Sequence, residues 1–128
     1  MTAPHLLHHE YHARMLKTVA YIDAHLDDNL AVEVLAGVAA FSKFHFHRQF
    51  SALFGLSVHE VVQLARLKRA AHELAFRGRS VLEVALDAGY ESPEAFARTF
   101  KRRFGQTPSE WRATPDWVVA NTAIAPLH

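Results

Sequence analysis

Arg48 and Arg98 stand fifty residues apart in a chain of 128, each among side chains suited to gripping or reading a polyanion. Around the first are Lys43, Phe44 and His47; around the second are Ser92, Glu94, Ala95, Lys101 and Arg102. An arginine on an exposed, short helix fits the major groove of double-stranded DNA, where its planar fork pairs with the O6 and N7 atoms of guanine. Phe44 either touches a thymine methyl there or packs on the preceding helix. Glu94 repels phosphate unless it accepts from a cytosine amino group.

Positioning two such faces requires two similar scaffolds, and the chain repeats itself. Ser42–Gly55 laid over Ser92–Gly105 pairs Ser42 with Ser92, Phe46 with Phe96, Arg48 with Arg98, Phe50 with Phe100, Phe54 with Phe104 and Gly55 with Gly105. Upstream, at an offset of forty-nine, Ala36 pairs with Ala85, Ala39 with Ala88, Ala40 with Gly89 and Phe41 with Tyr90. Each copy reads as helix, tight turn, helix, with a small residue at 36 or 85 allowing close crossing. Phenylalanines every four residues, at 46, 50 and 54 and again at 96, 100 and 104, must face inward as plain core. Lys43, Phe44, His47 and Arg48, like Glu94, Ala95, Arg98, Lys101 and Arg102, then face outward. Ser92 caps the second of these helices.

Local signals mark the helix ends. Ser57 and Glu60, Ser80 and Glu83, and Thr107 and Glu110 have the spacing of a capping box. Pro93 and Pro108 suit the first helical position, and Gly55, Gly78 and Gly105 stand where helices should stop. Met15, Val19, Ile22 and Leu26 form one stripe of an earlier helix. Helices are expected over about 11–26, 32–39, 42–54, 57–77, 80–88, 92–104 and 107–112. The fold class is all-α: about seven helices, in two helix-turn-helix subdomains (14–56 and 79–112) joined by a linker helix (57–78). Residues 1–13 read as a tail and helix start. Residues 113–128, matching neither copy, pad the core or lead away as a linker. The joining helix is near 30 Å long at about 1.5 Å per residue, against about 34 Å for one turn of B-DNA, so one chain is expected to reach successive major grooves.

Charge is unevenly placed. The net is only +1. Between Ser42 and Arg112, however, twelve basic residues outnumber seven acidic ones, while residues 1–41 carry a net of −3. A basic centre beside an acidic flank fits a polyanion, although ordinary solvated helix faces would look similar. No apolar run approaches the roughly 20 residues needed to span a bilayer, and residues 1–30 lack signal-peptide order. The expected address is the cytoplasm. The absence of cysteine excludes disulfides, thiolate zinc sites and a cysteine nucleophile.

Other chemistry is poorly supported. His5, His8, His9 and His12 invite a metal reading, with 8 and 12 on one helix face, but few carboxylates lie nearby. His45 and His47, two apart, point to different faces. No Gly-rich phosphate loop, HExxH or GxSxG occurs, and the hydroxyls near imidazoles or carboxylates are caps. No catalytic residue, metal or cofactor is expected.

Together these residues resemble a known family. The run Gly89-Tyr90-Glu91-Ser92-Pro93-Glu94-Ala95-Phe96-Ala97-Arg98-Thr99-Phe100, continued by Phe104-Gly105-Gln106-Thr107-Pro108-Ser109-Glu110-Trp111-Arg112, resembles the signature of the AraC/XylS family of bacterial transcription regulators. The resemblance covers about residues 14–112, including Phe41–Phe54 and Arg66-Leu67-Lys68-Arg69-Ala70. It implies two helix-turn-helix units, a rigid linker helix, promoter binding and contacts to RNA polymerase. Base and backbone contacts would fall on Phe44, His47, Arg48, Glu94, Ala95 and Arg98. Phe44-His45-Phe46-His47-Arg48 is most similar to a subgroup whose DNA-binding part is often followed by a gyrase-inhibitor-like effector domain, which is expected outside this chain. Ala40 stands in place of the usual turn glycine, Val61 where an aromatic is common, and Ala95 offers no hydrogen bond. The expected function is sequence-specific binding of double-stranded promoter DNA. The reading from another class is a helical interaction module binding an effector or a polymerase subunit.

Overall fold

The computed structural model describes residues 4–125, with side chains from Glu10 onward. The described residues form eight α-helices: α1 (Pro4–Ala24), α2 (Val32–Ala39), α3 (Lys43–Phe54), α4 (Val58–Phe76), α5 (Val81–Asp87), α6 (Pro93–Phe104), α7 (Pro108–Ala113) and α8 (Trp117–Ala123). None is long and apolar enough to cross a membrane. The chain divides between Val62 and Gln63 into two compact units.

In the first unit α2 packs on both α1 and α3. α1 begins at Pro4, well before the expected start near 11, because proline at the first helical position costs no hydrogen bond. From its expected stripe Met15 and Ile22 are buried, while Val19 and Leu26 are only partly covered. Leu35, Ala36, Ala39, Phe46 and Phe50 are buried within the same unit. Thr18, fully buried, satisfies its hydroxyl by donating to the Arg14 carbonyl at 3.0 Å.

The α2–α3 turn is closed by a Schellman arrangement: the Phe41 amide donates to the Ala36 carbonyl at 3.0 Å and the Ala40 amide to Gly37 at 3.1 Å. Ala40 adopts φ +60°, the left-handed conformation expected of glycine. In the second unit the Tyr90 amide donates to Ala85 at 3.1 Å and the Gly89 amide to Leu86 at 3.0 Å, with Gly89 at φ +90°. The two copies therefore share one turn geometry with different residues at its strained position.

The second unit is built on a core of Leu67, Ala70, Ala71, Leu74, Val84, Ala85, Phe96, Phe100, Phe104, Trp111, Ala120 and Ile124. Trp111 is fully buried and its indole Nε1 donates to the Ala71 carbonyl at 2.8 Å, so burying that polar edge costs little. Two expectations need correction. Phe54 is only half-buried, unlike Phe104, because Val61 occupies the position in the first copy that Trp111 holds in the second, where its ring lies 5.8 Å from Phe104. The described residues hold eight helices rather than about seven, since α8 follows the repeat. It packs on α6, burying Ala120 and Ile124 with Trp117 against them, so this segment pads the core.

Ser57 with Glu60 and Thr107 with Glu110 form full capping boxes, each with both reciprocal bonds between 2.8 and 3.1 Å. Ser80 and Glu83 are joined too: the Glu83 amide donates to Ser80 Oγ at 3.1 Å and the Ser80 hydroxyl donates to the Glu83 carboxylate at 3.0 Å. The Ser80 hydroxyl and backbone hold that carboxyl below its ordinary range, with Arg79 at 3.6 Å adding a little.

Candidate nucleic-acid interface

α3 starts where Ser42 Oγ accepts from the His45 amide at 3.3 Å and stops at Gly55, which takes the left-handed conformation. Phe46 and Phe50 anchor one face in the core, leaving Lys43, Phe44, His47 and Arg48 on the solvent face. Phe44 is 74% exposed, which sets aside packing on the preceding helix as its main role. The Arg48 guanidinium carbon lies 5.2 Å from the centre of the Phe44 ring, one helical turn away. Lys43 pairs with Glu33 at 2.8 Å and holds that carboxyl below its ordinary range, but both side chains are well exposed and the pair adds little stability. His45 turns away from His47, meeting Phe41 edge-on at 5.1 Å.

α6 repeats the construction. Ser92 Oγ accepts from the Ala95 amide at 3.1 Å, and Pro93 occupies the first turn. Phe96, Phe100 and Phe104 face the core, while Glu94, Arg98, Lys101 and Arg102 are exposed. Positions 94, 98, 101 and 102 share one helix face by their three- and four-residue spacing. Lys101, Arg102 and Arg103 occupy the last turn, where cations favour the negative end of the helix dipole. Ser92 and Ala95 are half-buried, so the cap is the observed role of Ser92 and Ala95 presents only part of its methyl. Both arginines of the repeat, Arg48 and Arg98, are exposed.

Part of the basic excess has other work. Arg79 is surrounded by Glu73 at 3.2 Å, Glu83 at 3.6 Å and Asp87 at 2.5 Å, and these acids raise its pKa further. Arg112 donates to the carbonyls of Leu74, at 3.1 Å, and Arg79, while Arg69 donates to the Asp87 carbonyl at 3.0 Å. Spacing alone does not separate such structural cations from free ones.

The sequence reading also missed Arg14. From α1 its Nε donates to the Ala39 carbonyl at 2.7 Å and its Nη2 to the Ala40 carbonyl, with the guanidinium 3.8 Å from the centre of the Phe41 ring. The turn that aims α3 is thus gripped from outside the repeat. Its partners are backbone carbonyls, which leave no trace in residue types. Among the described residues no three His, Asp or Glu side chains converge on a metal site. The side chains of His5, His8 and His9 lie outside the described residues.

Known proteins share this architecture. A family described as a helix-turn-helix domain matches residues 35–114. The chain is 38% identical over 102 residues to the HTH-type transcriptional regulator YbfP of Bacillus subtilis, covering 80% of this chain and 35% of that protein. It is 34% identical over 102 residues to the regulatory protein SoxS of Salmonella typhimurium, covering 79% of this chain and 95% of that one. The first curated relatives it matches are longer, and the chain spans about a third of their length. Among solved structures, the DNA-binding domain of AdpA in complex with a target DNA aligns with a TM-score of 0.68 at 33% identity, covering 77% of this chain and 89% of that one. An AraC-type regulator from Chromobacterium violaceum shares the fold with a TM-score of 0.76 at 24% identity, covering 81% and 93%. With the helix-turn-helix match running through both copies of the repeat, and the likeness to SoxS spanning nearly that whole protein, the chain belongs to the AraC/XylS family of transcription regulators.

Proposed function

We propose that the chain binds double-stranded promoter DNA by inserting α3 and α6 into successive major grooves. The observation that carries this is the repeated division of labour on the two helices: phenylalanines inward, arginines outward, each helix capped by a serine at its start. α4, 19 residues and about 28 Å long, joins the two copies. Arg48 and Arg98 act as readers of base edges, supported by Lys43, His47 and Phe44 on α3 and by Glu94 and Ala95 on α6. Lys101, Arg102 and Ser92 grip phosphate. Likeness to the DNA-binding domain of AdpA, which is seen in complex with a target DNA, supports this reading. Contacts to RNA polymerase, and regulation through an effector domain or ligand outside this chain, belong to the same proposal, as does a place in the bacterial cytoplasm on the nucleoid.

The test is a titration of selected and scrambled duplexes at several ionic strengths. Binding through phosphate contacts weakens by about 0.9 log units per contact per decade of salt, whereas an interaction module gives a flat response. Arg48→Ala should cost about 1–3 kcal/mol on the selected duplex and relax preference at one base pair, while Arg102→Ala should weaken all duplexes alike. Equal losses on both duplexes for Arg48→Ala would remove it as a reader.

A further inference from the structure

We propose that the last turns of α4, with α8 beside them, hold a binding site for a small planar aromatic ligand carrying one carboxylate. None of its residues is among those assigned to DNA. An open hollow of about 570 Å³ lies there, lined by Arg69, His72, Glu73, Arg77 and Arg79. Pockets for small ligands span roughly 300–1,000 Å³. Beside the hollow stands an aromatic shelf. The Phe76 ring lies nearly parallel to that of Trp117 on α8, at an angle of 8° with centres 5.7 Å apart, yet Phe76 is 67% exposed. His72 joins the two, lining the hollow while its ring lies 6.0 Å from Phe76 and 5.1 Å from Trp117.

The cations of this hollow are unequally committed. Arg79 is held by Glu73, Glu83 and Asp87, and Arg69 donates to the Asp87 carbonyl at 3.0 Å, so both act as fixed walls. Arg77, just past the end of α4, is exposed, and among the described residues no carboxylate pairs with it. Its planar fork suits an incoming carboxylate, which it can take with two parallel hydrogen bonds. A flat ring on the same ligand then lies against His72 and the open face of Phe76, where aromatic pairs attract by offset stacking. Trp117 packs on the buried core of its unit, so the shelf is ordered before the ligand arrives and loses little freedom on binding. Glu73, Glu83 and Asp87 leave the surroundings of the arginines near neutral, which suits a single carboxylate better than a phosphate ester.

The experiment titrates the full chain, labelled with nitrogen-15, with 2-naphthoate and follows it by nuclear magnetic resonance. Two controls isolate the ligand's parts: 2-naphthamide lacks the charge, and decahydro-2-naphthoate lacks the flat rings. Naphthoate should bind about tenfold more tightly than the amide and about three- to tenfold more tightly than the saturated acid. The two tryptophans report the place. The indole signal of Trp117 should move, while that of Trp111, buried with its N–H on the Ala71 carbonyl, should move less. Arg77→Gln should bind naphthoate about tenfold more weakly, no better than wild type binds the amide. Phe76→Ala should lose the preference for flat rings over saturated ones. Both positions are exposed, so the far-ultraviolet circular dichroism of each variant should match wild type. Wild-type binding of naphthoate no tighter than of either control would overturn the proposal. So would a Trp117 signal that stays still, or an Arg77→Gln or Phe76→Ala variant that binds all three compounds as wild type does.

Discussion

Replacing Arg14 by alanine should loosen the turn that aims α3, although Arg14 lies outside the repeated unit. Two carbonyls, of Ala39 and Ala40, lose a cationic donor, and the Phe41 ring loses a guanidinium 3.8 Å from its centre. Hydrogen bonds to charged groups contribute about 1.5–3 kcal/mol and a cation over an aromatic ring about 0.5–1 kcal/mol at partly exposed sites. Because Arg14 is only half-buried and water replaces it at the exposed Ala40 carbonyl, about 2 kcal/mol is the expected loss. The local reporter is hydrogen exchange of the Phe41 amide, which closes the turn on the Ala36 carbonyl. A loss of about 2 kcal/mol corresponds to roughly thirtyfold faster exchange in the regime where opening is reversible. Arg14→Lys, which keeps charge but not the planar fork, should recover less than half. Unchanged exchange at Phe41 in Arg14→Ala would refute the clamp.

Ala40→Gly should stabilise the chain by about 0.5–1 kcal/mol, since relief of the left-handed strain exceeds the added freedom of the unfolded chain, and the urea midpoint should rise at constant m-value. Trp111→Phe should cost about 2 kcal/mol in the same assay, because it leaves the buried Ala71 carbonyl without its indole donor and opens space in the second core. Glu110 is held below its ordinary pKa of 4.5, chiefly by the Thr107 backbone amide and then by the Thr107 hydroxyl. A carboxyl lowered in the folded state stabilises above its unfolded pKa and ceases to do so as pH falls through the folded value. Glu110→Gln should therefore be less stable than wild type at pH 7, with the gap closing as pH falls below the ordinary value of 4.5; a gap independent of pH would contradict the charge-dependent cap.

Much of this fold was legible because its signals are local. Ser42, Ser92 and Thr107 announce helix starts by an oxygen within reach of amides three residues on, and the phenylalanine ladders announce a buried face by spacing alone. What depends on distant partners was not legible. Arg14 meets carbonyls 25 and 26 residues away, and Arg112 meets carbonyls 38 and 33 residues away. Phe54 follows its repeat partner in type but not in burial, because the covering residue, Val61, differs from Trp111. For the interface, periodicity placed Lys43, Phe44, His47, Arg48, Glu94, Arg98, Lys101 and Arg102 outward, as observed. The stacking of Arg48 on Phe44 and the tether of Lys43 to Glu33 are rotamer choices that spacing does not reveal.

Because an alanine fills in the first copy the place that a glycine fills in the second, the duplicated motifs are not interchangeable parts. Each also takes a brace from the helix before it: the first would travel intact only together with Arg14, and the second with Arg69 of α4, which donates to the Asp87 carbonyl beside its turn.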